Sequence, residues 1–136
     1  LRGKILINNS TSRFGSTEFA KLLDTMNKEG GFPIAVLTDR HGFPIASAAA
    51  PDQDPDIQSA VVALIQKTAA QASNQLGMAQ TDEISLHDAK GQRLVCRPFE
   101  AKGYEMILAV LVPNKHQSYR RLTNQAVNAI RRQWKL

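Results

Sequence analysis

Few side chains in this 136-residue sequence could carry chemistry, and they are scattered. Of the three histidines, His41, His87 and His116, none stands at the His-Glu-x-x-His spacing that turns two ring nitrogens toward one zinc ion. Asp52, Asp54 and Asp56 alternate as in a calcium loop, but Pro51 and Pro55 interrupt them and the closing glutamate is missing. The same residues suit a helix start, with Asp54 as N-cap and Pro55 in the first helical position. Cys96 is alone, which excludes an internal disulfide or a multi-cysteine zinc site. Its alternation with Leu94 reads as a buried structural thiol, the other reading being a nucleophile served by a distant histidine. Gly30-Gly31 before Phe32 is a helix stop, and neither a Walker-type phosphate loop nor a dinucleotide fingerprint occurs. The sequence therefore predicts no catalytic residue, no cofactor, no metal and no nucleotide turnover by the chain itself.

Charge is the remaining signal. Seventeen basic against twelve acidic residues give +5, and the excess lies wholly in the second half, ten basic to five acidic over residues 69–136. From Lys115 to Leu136 there is no acid, while Arg120, Arg121, Arg131 and Arg132 bracket the final periodic segment. Such a face is open to three readings: a solvated surface, a docking surface for an anionic protein or membrane, or a nucleic-acid site. The last is disfavoured because Tyr119 and Trp134 fall on the inward stripe and leave no stacking platform. No run approaches the roughly 18 apolar residues of a spanning helix, and Leu1 to Ser10 lacks the features of a signal peptide. A cytoplasmic protein is expected. The start at Leu1 rather than Met fits a fragment or a processed chain.

The length suits one domain with a proper core. Residues 1–15 turn polar through Asn8 to Arg13 and read as a flexible N-terminal arm, with a single domain over 16–136. Phe19, Leu22, Leu23 and Met26 recur at helical spacing between Ser16, a cap, and Gly30. Pro33–Thr38 and Phe43–Ala48 flank Asp39-Arg40-His41-Gly42 as a hairpin, and Pro44 sends its second strand to a sheet edge. A long helix follows from Asp54 to Gly77. Glu83–His87, Arg93–Phe99 and Met106–Val112 make a three-stranded meander before a last helix ending near Trp134. The seven apolar residues of Met106–Val112 predict a central strand covered on both faces, whereas strict alternation around Ile84 and Leu86 predicts an edge. The fold class expected is α/β (α+β): a five-stranded antiparallel sheet of order 2-1-5-4-3, the middle helix on one face and the terminal helices on the other.

The long helix carries two stripes. Ile57, Val61, Leu64, Ile65, Thr68, Ala72 and Leu76 are expected to face the core. Beside them Ser59, Val62, Gln66, Ala69 and Ser73 recur at 3, 4, 3, 4, the rhythm of a helix-helix seam or, alternatively, of a solvated flank.

The order of elements, with Asp39, Gly42, Phe43, Pro44 and Ala46 in the hairpin, resembles the roadblock family, named for a dynein light chain. The resemblance covers about Thr17 to Trp134. It implies a homodimer in which the third strands, Glu83, Ile84, Ser85, Leu86 and His87, pair across a two-fold axis while the long helices lie side by side. It also implies an adaptor: a scaffold subunit, or a regulator that binds a Ras-like small GTPase and stimulates hydrolysis without supplying a catalytic residue. Nucleic acid is not an expected partner and a membrane only an indirect one. The unpaired edge and the Ser59–Ser73 seam point to the same self-association from the residues themselves. A sensor-like ligand-binding domain of profilin type is the alternative, since it shares the architecture.

Overall fold

The computed structural model describes residues 2–134, with side chains from Ser16 onward. Its elements are α1 (Arg2–Gly30), β1 (Ile34–Asp39), β2 (Pro44–Ala49), α2 (Pro55–Leu76), β3 (Ile84–His87), β4 (Arg93–Ala101), β5 (Tyr104–Val112) and α3 (Arg120–Gln133). They form one antiparallel sheet of order β2-β1-β5-β4-β3, as the sequence predicts. The helical backbone of α1 begins at Arg2, so Ser16 is not its cap: it lies inside the helix and its hydroxyl donates to the Ile45 carbonyl at 2.9 Å. The arm assigned to 1–15 falls on residues whose side chains lie outside the described ones, and the boundary at 16 remains a proposal.

β5 is the middle strand, and Met106 to Val110 are shut off from solvent on both faces. Leu108 and Val110 share one core with Phe19, Leu23 and Met26 of α1, Leu122, Ala126 and Ile130 of α3, and Trp134. Ile107 and Ala109 share the other with Ile34, Val36, Leu94, Cys96 and Val62 of α2. The terminal helices thus cover one face and α2 the other. Trp134 closes the first core, stacked on Phe19 at a 5.8 Å centroid distance and tilted on Tyr104 at 5.1 Å.

The prolines sit where no ladder bond is lost. Pro44 opens the edge strand β2. Pro98 lies inside β4, but β3 pairs only with Arg93–Cys96, so its missing N–H points past the end of that neighbour. Asp54 caps α2 as expected, its carboxylate accepting from the N–H groups of Asp56 at 2.9 Å and Ile57 at 3.3 Å, and Gly77 ends the helix in the left-handed conformation. Asp54→Ala should lower stability by about 1 kcal/mol in chemical denaturation, whereas Asp52→Ala, off the cap, should change it by no more than a few tenths.

Candidate functional site

Chemistry of the enzymatic kind has little to work with. Among the described residues no three of His, Cys, Asp and Glu gather around a point that could hold a metal ion. Cys96 is buried on the α2 side of β4, and burial pushes its thiol up to about 12, so it stays protonated at any ordinary pH. Of the histidines, His41 accepts a bond from its neighbour Arg40 in the β1–β2 turn, His87 ends β3, and His116 is exposed before α3. A cleft of about 690 Å³ opens between α2 and the β4–β5 hairpin, but Arg40, Lys67, Glu100 and Glu105 border it, unlike the enclosed apolar cavity that a sensor-type pocket calls for.

What the fold does present is an edge and a ridge. β3 ends the sheet and pairs with β4 alone. Asp88 N–H bonds to Gln92 O, so in the alternation of an antiparallel ladder Ser85 and His87 turn their N–H and C=O groups away from β4. No strand among the described residues pairs with them. The α2-side residues of β3 are Ile84, half-buried, and Leu86, 58% exposed.

On α2 the two stripes are interchanged relative to the sequence reading. Ser59 and Val62 are 3% and 0% exposed, with Gln66, Ala69 and Ser73 half-buried on the same line, so the proposed seam faces the chain's own sheet. Ile57 and Leu64, assigned to the core, stand 63% and 65% exposed, and Leu76 is exposed at the helix end. The reason is clearance. α2 crosses the β1–β2 turn so closely that a Cβ on Gly42 would lie 2.4 Å from the Ala63 Cβ and 3.0 Å from the Ser59 carbonyl. Small side chains go where the helix rides low, and the bulky ones are left on the outer flank. Val61 and Ile65 lie between, half-buried beside Ile84 and Leu111. Ser59 and Val62, expected on an outward seam, are therefore packed on the chain's own sheet, the outward flank of α2 is that of Ile57 and Leu64, and the β3 residues 83–87 stand at the sheet edge.

The basic residues divide. Arg120 points toward β3, where its guanidinium meets Glu83 at 3.3 Å. Tyr119 Oη donates to the same carboxylate at 2.6 Å, and Arg97 stands 3.9 Å from it. Burial first, then the bond to Glu83 and its charge, raise the Tyr119 phenol above its ordinary value and keep it a neutral donor. Arg131 lies over the Phe99 ring at 5.7 Å and donates from Nε to the Glu100 carbonyl at 3.0 Å. Arg132 instead lines the groove between α1 and α3, and Arg121 shares its stripe about three turns back. Glu83 as the hub of this network was not legible in the sequence, since only the sheet register brings β3, β4 and the start of α3 together.

The Roadblock/LC7 domain model matches residues 18–111, well over half of the chain. This chain belongs to the Roadblock/LC7 family. Solved structures agree on the fold. Myxococcus xanthus MglB superposes with a TM-score of 0.71 at 18% identity, over 85% of this chain and 86% of that one. A Roadblock/LC7 domain from Streptomyces avermitilis gives 0.69 at 15%, over 83% and 94%. MglB in a tetrameric arrangement gives 0.68 at 21%, over 87% and 88%. No curated protein matches the chain. For a Roadblock/LC7 domain the free edge and the exposed flank of α2 are the features to account for.

Proposed function

We propose that this Roadblock/LC7 domain is a homodimeric, non-catalytic adaptor that joins two copies of itself through β3 and α2 and binds a Ras-like small GTPase or a scaffold protein. One observation carries the self-association. Of the seven large hydrophobic residues left exposed among those whose side chains are described, five, Ile57, Leu64, Leu76, Met78 and Leu86, belong to α2, to its exit, or to the α2 side of β3. Apolar surface gathered beside an unpaired strand edge marks a place where another chain belongs. A two-fold axis beside β3 would extend the sheet to ten strands and lay the second α2 against the first, covering both features at once. The tetrameric arrangement of one MglB supports self-association, and the family supports the regulatory class of partner. Among the described residues no helix is long and apolar enough to cross a membrane, which accords with a cytoplasmic role.

Light scattering after size exclusion should give about 30 kDa, twice the 15.0 kDa chain. In pull-downs from the native source, Ras-like GTPases loaded with GTP analogue or GDP should be retained unequally, and the isolated protein should turn over neither GTP nor ATP. A monomer at high micromolar concentration, or nucleotide turnover lost on substitution within this chain, would overturn the reading.

A further inference from the structure

The two sides of β3 are unlike, and the second side has its own use. Toward α2 it shows Ile84 and Leu86. Toward α3 it shows Ser85 and His87, both exposed and both polar, with Glu83 at its head. α3 packs over β4 and leaves this side of β3 uncovered. The flank of α3 on this side carries Arg120 and Asn124 beside β3 and, past the strand's end where β4 runs on to Phe99 and Glu100, Arg131; Arg97 rises from β4 to bond Asn124 and Thr123. With Arg93 against the Tyr119 ring, four arginines stand against the single carboxylate of Glu83 and leave three net positive charges along this flank.

From this we infer that the strip between α3 and β3 is a docking groove for an acidic, extended segment of a partner protein, separate from the apolar flank of α2. Its doubling across the two-fold axis rests on the dimer proposed above: β3 beside its copy would form a polar floor, and the two α3 helices its arginine-lined walls. Burying that floor against apolar surface would strand hydroxyl, imidazole and guanidinium groups, so it suits a wet, charged occupant. Charge complementarity selects an acidic one, and a narrow polar strip between a helix and a strand suits an extended peptide. Nucleic acid is the poorer fit. Phe99 lies under Arg131, and the Tyr119 ring is covered by the guanidinium groups of Arg93 at 5.3 Å and Arg120 at 5.8 Å, so neither is bare for a base to stack on. A membrane fits less well still, because the strip has no apolar side chain to insert.

The test pairs variants of equal charge. Binding of a fluorescein-labelled decapeptide of alternating glutamate and serine is followed by anisotropy at low salt, with a single-stranded oligouridylate and phosphatidylserine vesicles as the other probes. Arg120→Gln/Arg131→Gln should weaken peptide binding about fivefold or more, while Arg121→Gln/Arg132→Gln, which removes the same charge from the outer face, should change it less than about twofold. Arg131→Gln alone, which leaves the Glu83 network intact, should show part of the loss. Equal losses in the two double variants, no peptide binding by the wild type, or preference for the oligonucleotide or vesicles would each overturn the groove. Light scattering on the same samples separates the two proposals. A monomeric wild type with the expected variant pattern removes the dimer and keeps the strip, whereas a dimer without that pattern removes the strip and keeps the dimer.

Discussion

Leu64→Arg should convert the dimer to monomer at micromolar concentration while leaving the thermal midpoint of the monomer nearly unchanged. Leu64 is 65% exposed in the single chain and lies on the flank of α2 opposite the residues that meet the sheet. Its side chain is therefore almost absent from the energetics of folding and fully available to a second copy. Burying a leucine is worth about 1.5–3 kcal/mol, and a two-fold axis counts it twice, so truncation alone would weaken the dimer by roughly 4 kcal/mol, or about a thousandfold. An arginine adds the desolvation of two unpaired charges. Ala69→Arg is the informative contrast. Ala69 is half-buried toward the chain's own sheet, so a guanidinium there should lower the melting point of the monomer itself. Lys67→Ala, exposed one turn along from Leu64, removes a charge rather than adding one and should leave the dimer and the thermal midpoint nearly as they are. Should sedimentation find Leu64→Arg as dimeric as the wild type, α2 is not the interface.

That contrast also shows where reading the sequence succeeds and where it stops. The continuous apolar run of Met106–Val112 dictated a central strand, and Pro44 and the alternation about Ile84 placed β2 and β3 at the edges, so the strand order followed from local pattern alone. On α2 the same rule misled. Hydrophobicity ranks Ile57 and Leu64 above Ser59 and Ala69 for burial, and in a helix with one partner that ranking decides. Here a second apolar face is left outward, and the inner face is chosen by clearance, which depends on how low the helix crosses the Gly42 turn. No spacing along the chain encodes that height. The polar hub at Glu83 was hidden for a related reason: its donors Tyr119 and Arg120, and Arg97 beside it, lie far along the chain and meet it only once β4 is in register and α3 is packed over it. The four arginines could be counted from the sequence but not divided between the flank near β3 and the outer face.

Gly42→Ala should be strongly damaging, and it tests the same clearance from the turn's side. Gly42 has φ +86°, and for a side chain that conformation costs about 1–2 kcal/mol. The new methyl would also stand 2.4 Å from the Ala63 Cβ, so the turn or α2 must move, and overpacking of that kind costs about 1–3 kcal/mol more. Together they remove a large share of the few kcal/mol by which a domain is stable, lowering the melting point by about 10 °C. Gly103→Ala supplies the control, because φ there is +83° but no atom lies within 4 Å of the added Cβ. It should show the conformational cost alone. Adding Ala63→Gly to Gly42→Ala removes the methyl-to-methyl clash at the expense of about 1 kcal/mol of helix propensity, so the double-mutant cycle should show a favourable coupling of about 1–2 kcal/mol. In Gly42→Ala itself the proposed dimer should weaken as well, since α2 lifted off the turn would shift Leu64 and Ile57 with it. Equal losses for Gly42→Ala and Gly103→Ala, with no coupling to Ala63, would mean that α2 does not rest on the turn and that the sorting of its two stripes needs another cause.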